Sequence, residues 1–204
     1  MAGANGIKML RLDWAAQEEP AGQAPPIALA RRGDAFCLVW AERAERERRG
    51  GAWATDLSVL AEQDPFPGFS MGGQQMVWVK NYSENQGLLP QLEKAGWLQA
   101  VGSAMKQGLT TLPLAAVTLN ETELAQQCAL CEEFESVETD TRFKRCSGCK
   151  RRYYCSTEHQ HQGWAAHKAE CKLLAKGRYA EVEKRRREQS YNPKLQELGQ
   201  AGEA

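Results

Sequence analysis

Histidine is scarce in this chain and unevenly placed. All three histidines of the 204 residues lie beyond position 158, so everything before them lacks the side chain that most often serves as a general base. Long apolar runs are also missing: nothing approaches the roughly 18 apolar residues a membrane-spanning helix needs, so we expect no membrane partner. Neither sign of charge dominates. Lys plus Arg and Asp plus Glu each number 26, and a pI near 6.8 excludes a global drive toward nucleic acid or anionic membrane. The GxGxxG, P-loop, GxSxG and HExxH motifs are absent, and with them the common signatures of dinucleotide, nucleotide, serine-hydrolase and zinc-protease chemistry. The opening Met-Ala-Gly-Ala-Asn-Gly carries no apolar leader, so we expect an intracellular protein, nuclear or cytoplasmic, with reduced cysteines.

What is present in unusual density is cysteine within one stretch. Six of the seven cysteines and all three histidines fall between Cys128 and Cys171. They pair as Cys128-x2-Cys131, Cys146-x2-Cys149, Cys155-x3-His159 and His167-x3-Cys171. Two cysteines separated by two residues can turn both sulfurs inward around a tight loop, and donors four apart on a helix share a face. Eight such ligands suffice for two closed tetrahedral sites of the structural-zinc kind, with no coordination position left for catalysis. His161 falls outside the spacing pattern and reads as a surface residue; Cys37, far from the cluster, reads as core.

Spacing leaves two ways of sharing the pairs between ions. If Ser156 to Cys171 formed one straight helix, Cys155 and Cys171 would lie about 24 Å apart. Sulfurs on one zinc lie about 3.8 Å apart, given a bond of about 2.3 Å. Either the chain reverses between His159 and His167, or the pairs interleave. Interleaving puts Cys128, Cys131, Cys155 and His159 on one ion and Cys146, Cys149, His167 and Cys171 on the other.

In order, in spacing and in the residues Ser147-Gly148, Tyr154, Gln160, Trp164 and Lys168, this stretch resembles the MYND-type zinc finger. The resemblance covers residues 128–171. It implies the interleaved, cross-braced arrangement with two structural zinc ions, a short β-hairpin around the second CxxC and two short helices after it. It also implies a protein-interaction module that grips short proline-containing motifs against the hairpin edge, with Ser147, Gln160 and Trp164 at the peptide-holding positions. Gln160 and Trp164 are four apart, so a helix would set an amide beside an aromatic plate. Two features depart from the pattern. His159 stands where Cys is more usual, and residues Glu132 to Arg145 make a longer first loop. Closure cost grows only logarithmically, so the extra residues cost at most a few tenths of a kcal/mol by a rough estimate.

Residues 1–120 read as a small α+β region with about four strands, one clear helix and long loops. Ile7–Leu12, Phe36–Ala41, Gln75–Lys80 and Thr110–Leu119 have strand character. On the third of these, Met76, Trp78 and Lys80 should share one face and Val77 and Val79 the other. Pro113 should place part of the last at an edge or bulge. Leu88, Leu89, Leu92 and Ala95 follow helical spacing, with Ser83 or Asn85 as cap and Gly96 as stop. Glu42–Gly51 alternates charge and reads as a solvated helical turn, and the tryptophans of this region read as core. Residues 17–26 and 63–73 read as loops, and 172–204 as a basic helix followed by a flexible tail.

The expected protein is thus an α+β region followed by a cross-braced binuclear finger and a C-terminal basic helix. It should act as an adaptor or regulator and not as an enzyme. The alternatives are a nucleic-acid-binding regulator, through the Lys184–Arg187 cluster, and a lysine methyltransferase, because fingers of this family also occur within SET-domain enzymes. Acidic residues between Glu132 and Asp140 oppose DNA. Only 33 residues follow Cys171, and no NHxC-like motif precedes it, which opposes the methyltransferase.

Overall fold

The structure is a computed structural model that describes residues 1–13, 24–59, 70–178, 181–182 and 184–185. Most of the expected loops at 17–26 and 63–73, the tail from 192 and half of the 184–187 basic cluster lie outside these residues.

The chain builds β1 (Met9–Leu10), β2 (Ile27–Arg32), β3 (Ala35–Trp40), α1 (Arg43–Arg49) and β4 (Trp53–Asp56). Then come β5 (Ser70–Met71), β6 (Gln74–Trp78), α2 (Leu88–Lys94), β7 (Leu98–Gln107) and β8 (Thr110–Val117). The finger region adds β9 (Ala125–Gln126), β10 (Lys144–Arg145), β11 (Tyr153–Tyr154) and α3 (Thr157–Ala175). One sheet runs β1-β2-β3-β4, with β9 parallel to β2; a second runs β5-β6-β8-β7; β10 and β11 form a hairpin. The two larger sheets are joined by a bridge between Ser58 and Val79.

The strand β2 (IALARR) escapes a reading based on alternation because its sheet is covered on both sides. Ile27, Leu29, Phe36, Leu38 and Trp40 face the main core with Val77, Val79, α2 and Val117. Ala28, Ala30, Cys37 and Val39 face a second core closed by Ile7, Phe134 and Val137. The finger's long first loop therefore packs on the sheet. Cys37 is wholly buried as expected, and burial pushes its thiol up to about 12, which keeps it inert.

Val77 of β6 and Val79 just beyond it do face the same core. The cap of α2 differs from expectation: it is Gly87, in the left-handed region at φ 81°. Asn85 is instead buried, accepting from Thr55 Oγ1 and donating to Asp56 O, so its side chain is committed to β4. Gly96 does end the helix, at φ 68°. Of the two settings expected for Pro113, the edge is not found, since β8 lies between β6 and β7, but the pairing of β8 with β7 does shift register beside the proline. It is accommodated because β7 is irregular between Ala100 and Ala104, while the Pro113 carbonyl still accepts from Val79 N. Trp40 and Trp97 are core, whereas Trp53 is half exposed and donates to Asp56 Oδ1.

Candidate metal centre

Two knuckles built on one plan open the site. In each CxxC the residue after the second cysteine donates its N–H to the first cysteine's carbonyl, Glu132 to Cys128 at 3.1 Å and Lys150 to Cys146 at 2.9 Å. Both donors take positive φ, 61° and 55°, a strained conformation that curls the loop and turns its sulfurs inward. The first knuckle leaves directly from β9, and the second is the turn of the β10–β11 hairpin.

The other four donors come from the start and length of α3. Ser156 caps the helix by accepting from His159 N at 3.0 Å, which sets Cys155 and His159 at its mouth. The helix continues unbroken to Ala175 where two short helices were expected. Gly163 does not interrupt it; this glycine meets Tyr154, whose Cε1 would lie 3.2 Å from an added Cβ. Over one straight helix His159 and His167 stand about 12 Å apart, too far to share an ion. The two histidines therefore serve different centres, and the pairs interleave.

Ligand atoms of Cys128, Cys131, Cys155 and His159 lie within 4.8 Å of one another, as do those of Cys146, Cys149, His167 and Cys171. The pairs Cys131–Cys155 and Cys146–Cys171 have Sγ separations of 3.8 Å, the edge of a tetrahedron around zinc. Cys128 Sγ to His159 Nδ1 is 3.7 Å and Cys149 Sγ to His167 Nε2 is 3.4 Å. Each centre is Cys3His, and the donor sets fit two zinc ions.

The electrostatics call for a cation at both places. Burial opposes ionisation of Cys128, yet the N–H groups of Cys131, Cys155 and Leu130 draw its thiol down to about 6. Burial, followed by neighbouring sulfurs, pushes Cys155 and Cys171 up to about 12. Several thiolates cannot ionise together in so small a space without a metal. Burial first, then Arg152, holds His167 down to about 4, the neutral imidazole that a ligand must be. In the second centre space is tight: a Cβ on Gly148 would come within 3.0 Å of Cys171 Sγ.

Three cations that flank the ligands in sequence are engaged with other side chains. Arg152 pairs with Glu170, Arg145 with Glu121, and Lys144 donates to Thr157. Sequence reasoning missed Glu135, which is 1% exposed inside the first loop. It accepts from Gln126 N at 3.0 Å and from Phe143 N, and pairs with Arg142 at 3.1 Å. The available signal was Phe134 and Val137 flanking it in an otherwise acidic run.

Of the candidate peptide contacts, Ser147 is exposed in the second knuckle, Gln160 is half-buried, and Trp164 is 42% exposed one turn further along α3. Trp164 also stands edge-on to His167, with ring centroids 5.8 Å apart.

Interleaved donors, a hairpin and a single ligand-bearing helix define a closed, cross-braced binuclear zinc finger. Residues 128–171 match the MYND finger family, a family of zinc-binding protein-interaction modules. A SET and MYND domain-containing protein of Dictyostelium discoideum is 41% identical over 56 residues, which is 26% of this chain and 10% of that protein. The chain therefore aligns with about a tenth of that relative. No solved structure matches the chain.

Proposed function

We propose that the chain is an adaptor or regulator whose finger binds a proline-containing peptide motif of a protein partner. The observation that carries this reading is Trp164: a large aromatic left 42% exposed on the same helix whose His167 and Cys171 belong to a metal centre. Gln160 lies one turn away on that face. The outer edge of β10 has no strand beside it among the described residues, so it can take a peptide by main-chain pairing. Ser147, in the knuckle the hairpin carries, completes the proposed contact set. A metal-braced helix holds the indole and the amide in place before the partner arrives, and this preorganisation reduces the ordering cost of binding.

In this reading residues 1–120 are a scaffold, 128–171 the binding module and 172–204 an appendage, in a protein working inside the cell. Closed Cys3His centres offer no open metal position, which supports a non-enzymatic role. Among the described residues no helix is long and apolar enough to cross a membrane. Trp164→Ala, with both zinc ions retained, should weaken capture of a proline-containing peptide by at least about 30-fold, the usual scale for an aromatic anchor. Unchanged capture refutes the groove, and methyl transfer from S-adenosylmethionine by the purified chain refutes the non-enzymatic role.

A further inference from the structure

Two clefts meet where the finger leans on the strands, and Arg31 lines both. The first, of about 450 Å³, lies between the β2–β3 turn, the tyrosines of β11 and the α3 face carrying Gly163, Ala166 and Glu170. The second, of about 460 Å³, lies between Lys150 and Arg151 of the second knuckle, the β5–β6 turn and the chain leaving β8. Ser147, Gln160 and Trp164 line neither, so these clefts are separate from the proposed peptide groove.

Arg31 is built into this junction. Its backbone pairs with Phe36 of β3 on one side and Gln126 of β9 on the other. Its guanidinium carbon lies 5.5 Å from the Phe36 ring centroid, and one terminal nitrogen donates to Gln75 Oε1. Only 9% of the side chain is exposed. A guanidinium keeps its charge at physiological pH and offers five donors, and a cation taken out of water demands pairing.

That demand is poorly met here. The carboxylate it reaches, Glu121, is 3.8 Å away and is itself paired with Arg145. The Arg31 Nε is buried and has no partner among the described residues. Burial lowers the Arg31 pKa, with Arg151 adding to the effect and Tyr153, Glu121 and Asp34 opposing it. Of the cations lining the two clefts, Arg152 pairs with Glu170 and Arg32 with Asp56, while Arg31 and Lys150 line the second cleft beside Glu121.

We propose that this junction is a second binding site, for a carboxylate-bearing segment of a protein partner. Arg31 is its buried anchor, and Lys150 and Arg151 are its outer contacts. A carboxylate matches the guanidinium fork with two parallel hydrogen bonds. The interspersed glutamates repel an extended polyanion, so spaced acidic side chains suit the site and a nucleic-acid backbone does not. Because Arg31 comes from the sheet and the other two cations from the knuckle, the site exists only while the finger is docked.

The test uses the full zinc-loaded chain and fluorescence anisotropy with three labelled probes: a hexapeptide alternating Glu and Gly, its Gln counterpart, and a short single-stranded RNA. The Glu peptide should bind and the Gln peptide should not. Arg31→Gln should weaken binding at least about 30-fold, and Lys150→Gln combined with Arg151→Gln about 10-fold or more. Lys106→Gln, on the β7–β8 hairpin, should change nothing. Should Arg31→Gln unfold, the double variant at the cleft mouth decides the matter alone. Equal binding of the Glu and Gln peptides, an unaffected double variant, or RNA binding tighter than the Glu peptide at about 150 mM salt overturns the proposal.

Discussion

Removing one buried carboxylate should loosen the finger from its scaffold. Glu135 has a side chain that is 0% exposed, and it gathers the N–H groups of Gln126 and Phe143 and the guanidinium of Arg142. It thereby ties β9, the long first loop and the approach to β10 to a single point. In Glu135→Ala both backbone donors lose their acceptor, at about 1–3 kcal/mol each. Arg142 loses its carboxylate but keeps the carbonyls of Glu121, Thr122 and Leu124, which limits the further loss. The total should be about 3–5 kcal/mol, a large share of the roughly 5–15 kcal/mol that holds a typical domain together. Burial raises the Glu135 pKa, with the Phe143 N–H, Arg142 and the Gln126 N–H opposing it, so the ionised group carries a desolvation cost. Glu135→Gln removes that charge and keeps one acceptor, and should cost only about 1–2 kcal/mol. Urea unfolding of the zinc-loaded protein, followed by tryptophan fluorescence, should show a midpoint shift of about 1–2 M for the alanine variant. The exposed neighbour in the same acidic run, Glu133→Gln, should stay within about 0.5 kcal/mol of wild type. An alanine variant as stable as Glu133→Gln would refute the reasoning.

Exhaustive chelation should release two zinc ions per chain with loss of the α3 helical signal, and cobalt substitution should give the absorption of tetrahedral sulfur-rich sites. A plateau at one metal per chain would contradict the two Cys3His sets. Gly148→Ala should weaken the Cys146, Cys149, His167 and Cys171 centre about 10-fold while sparing the other, because its Cβ crowds Cys171 Sγ. Stepwise competition with a chromogenic chelator separates the two. Phe134→Ala should cost about 3–5 kcal/mol, since the ring is 8% exposed between the finger loop and the sheet. An effect below about 1 kcal/mol would mean that the loop does not dock.

The metal donors were legible because chelation leaves short, local spacings in a sequence, and those spacings survive whatever the rest of the chain does. The sharing of pairs between ions depended on a longer-range fact, that α3 runs straight from Thr157 to Ala175, and interleaving follows at once from its length. The scaffold was harder to read for opposite reasons at its two sheets. In β2 the apolar residues do not alternate with polar ones because both faces are covered. In β7 only Leu98 is buried, so its pattern Leu-Gln-Ala-Val-Gly-Ser-Ala-Met-Lys-Gln carries little hydrophobic signal at all.

The stretch between the first two knuckles shows why composition misleads where position decides. Glu132 to Asp140 suggests a solvated acidic loop, yet Phe134, Glu135 and Val137 within it are all buried. Its length looked like a departure that the finger merely tolerates. Closing a few extra residues costs roughly a few tenths of a kcal/mol, whereas seating Phe134 against Ala30, Val39 and their neighbours is worth about ten times that. The docked loop therefore more than offsets the cost of closing it, because Phe134 and Val137 reach the second face of the sheet.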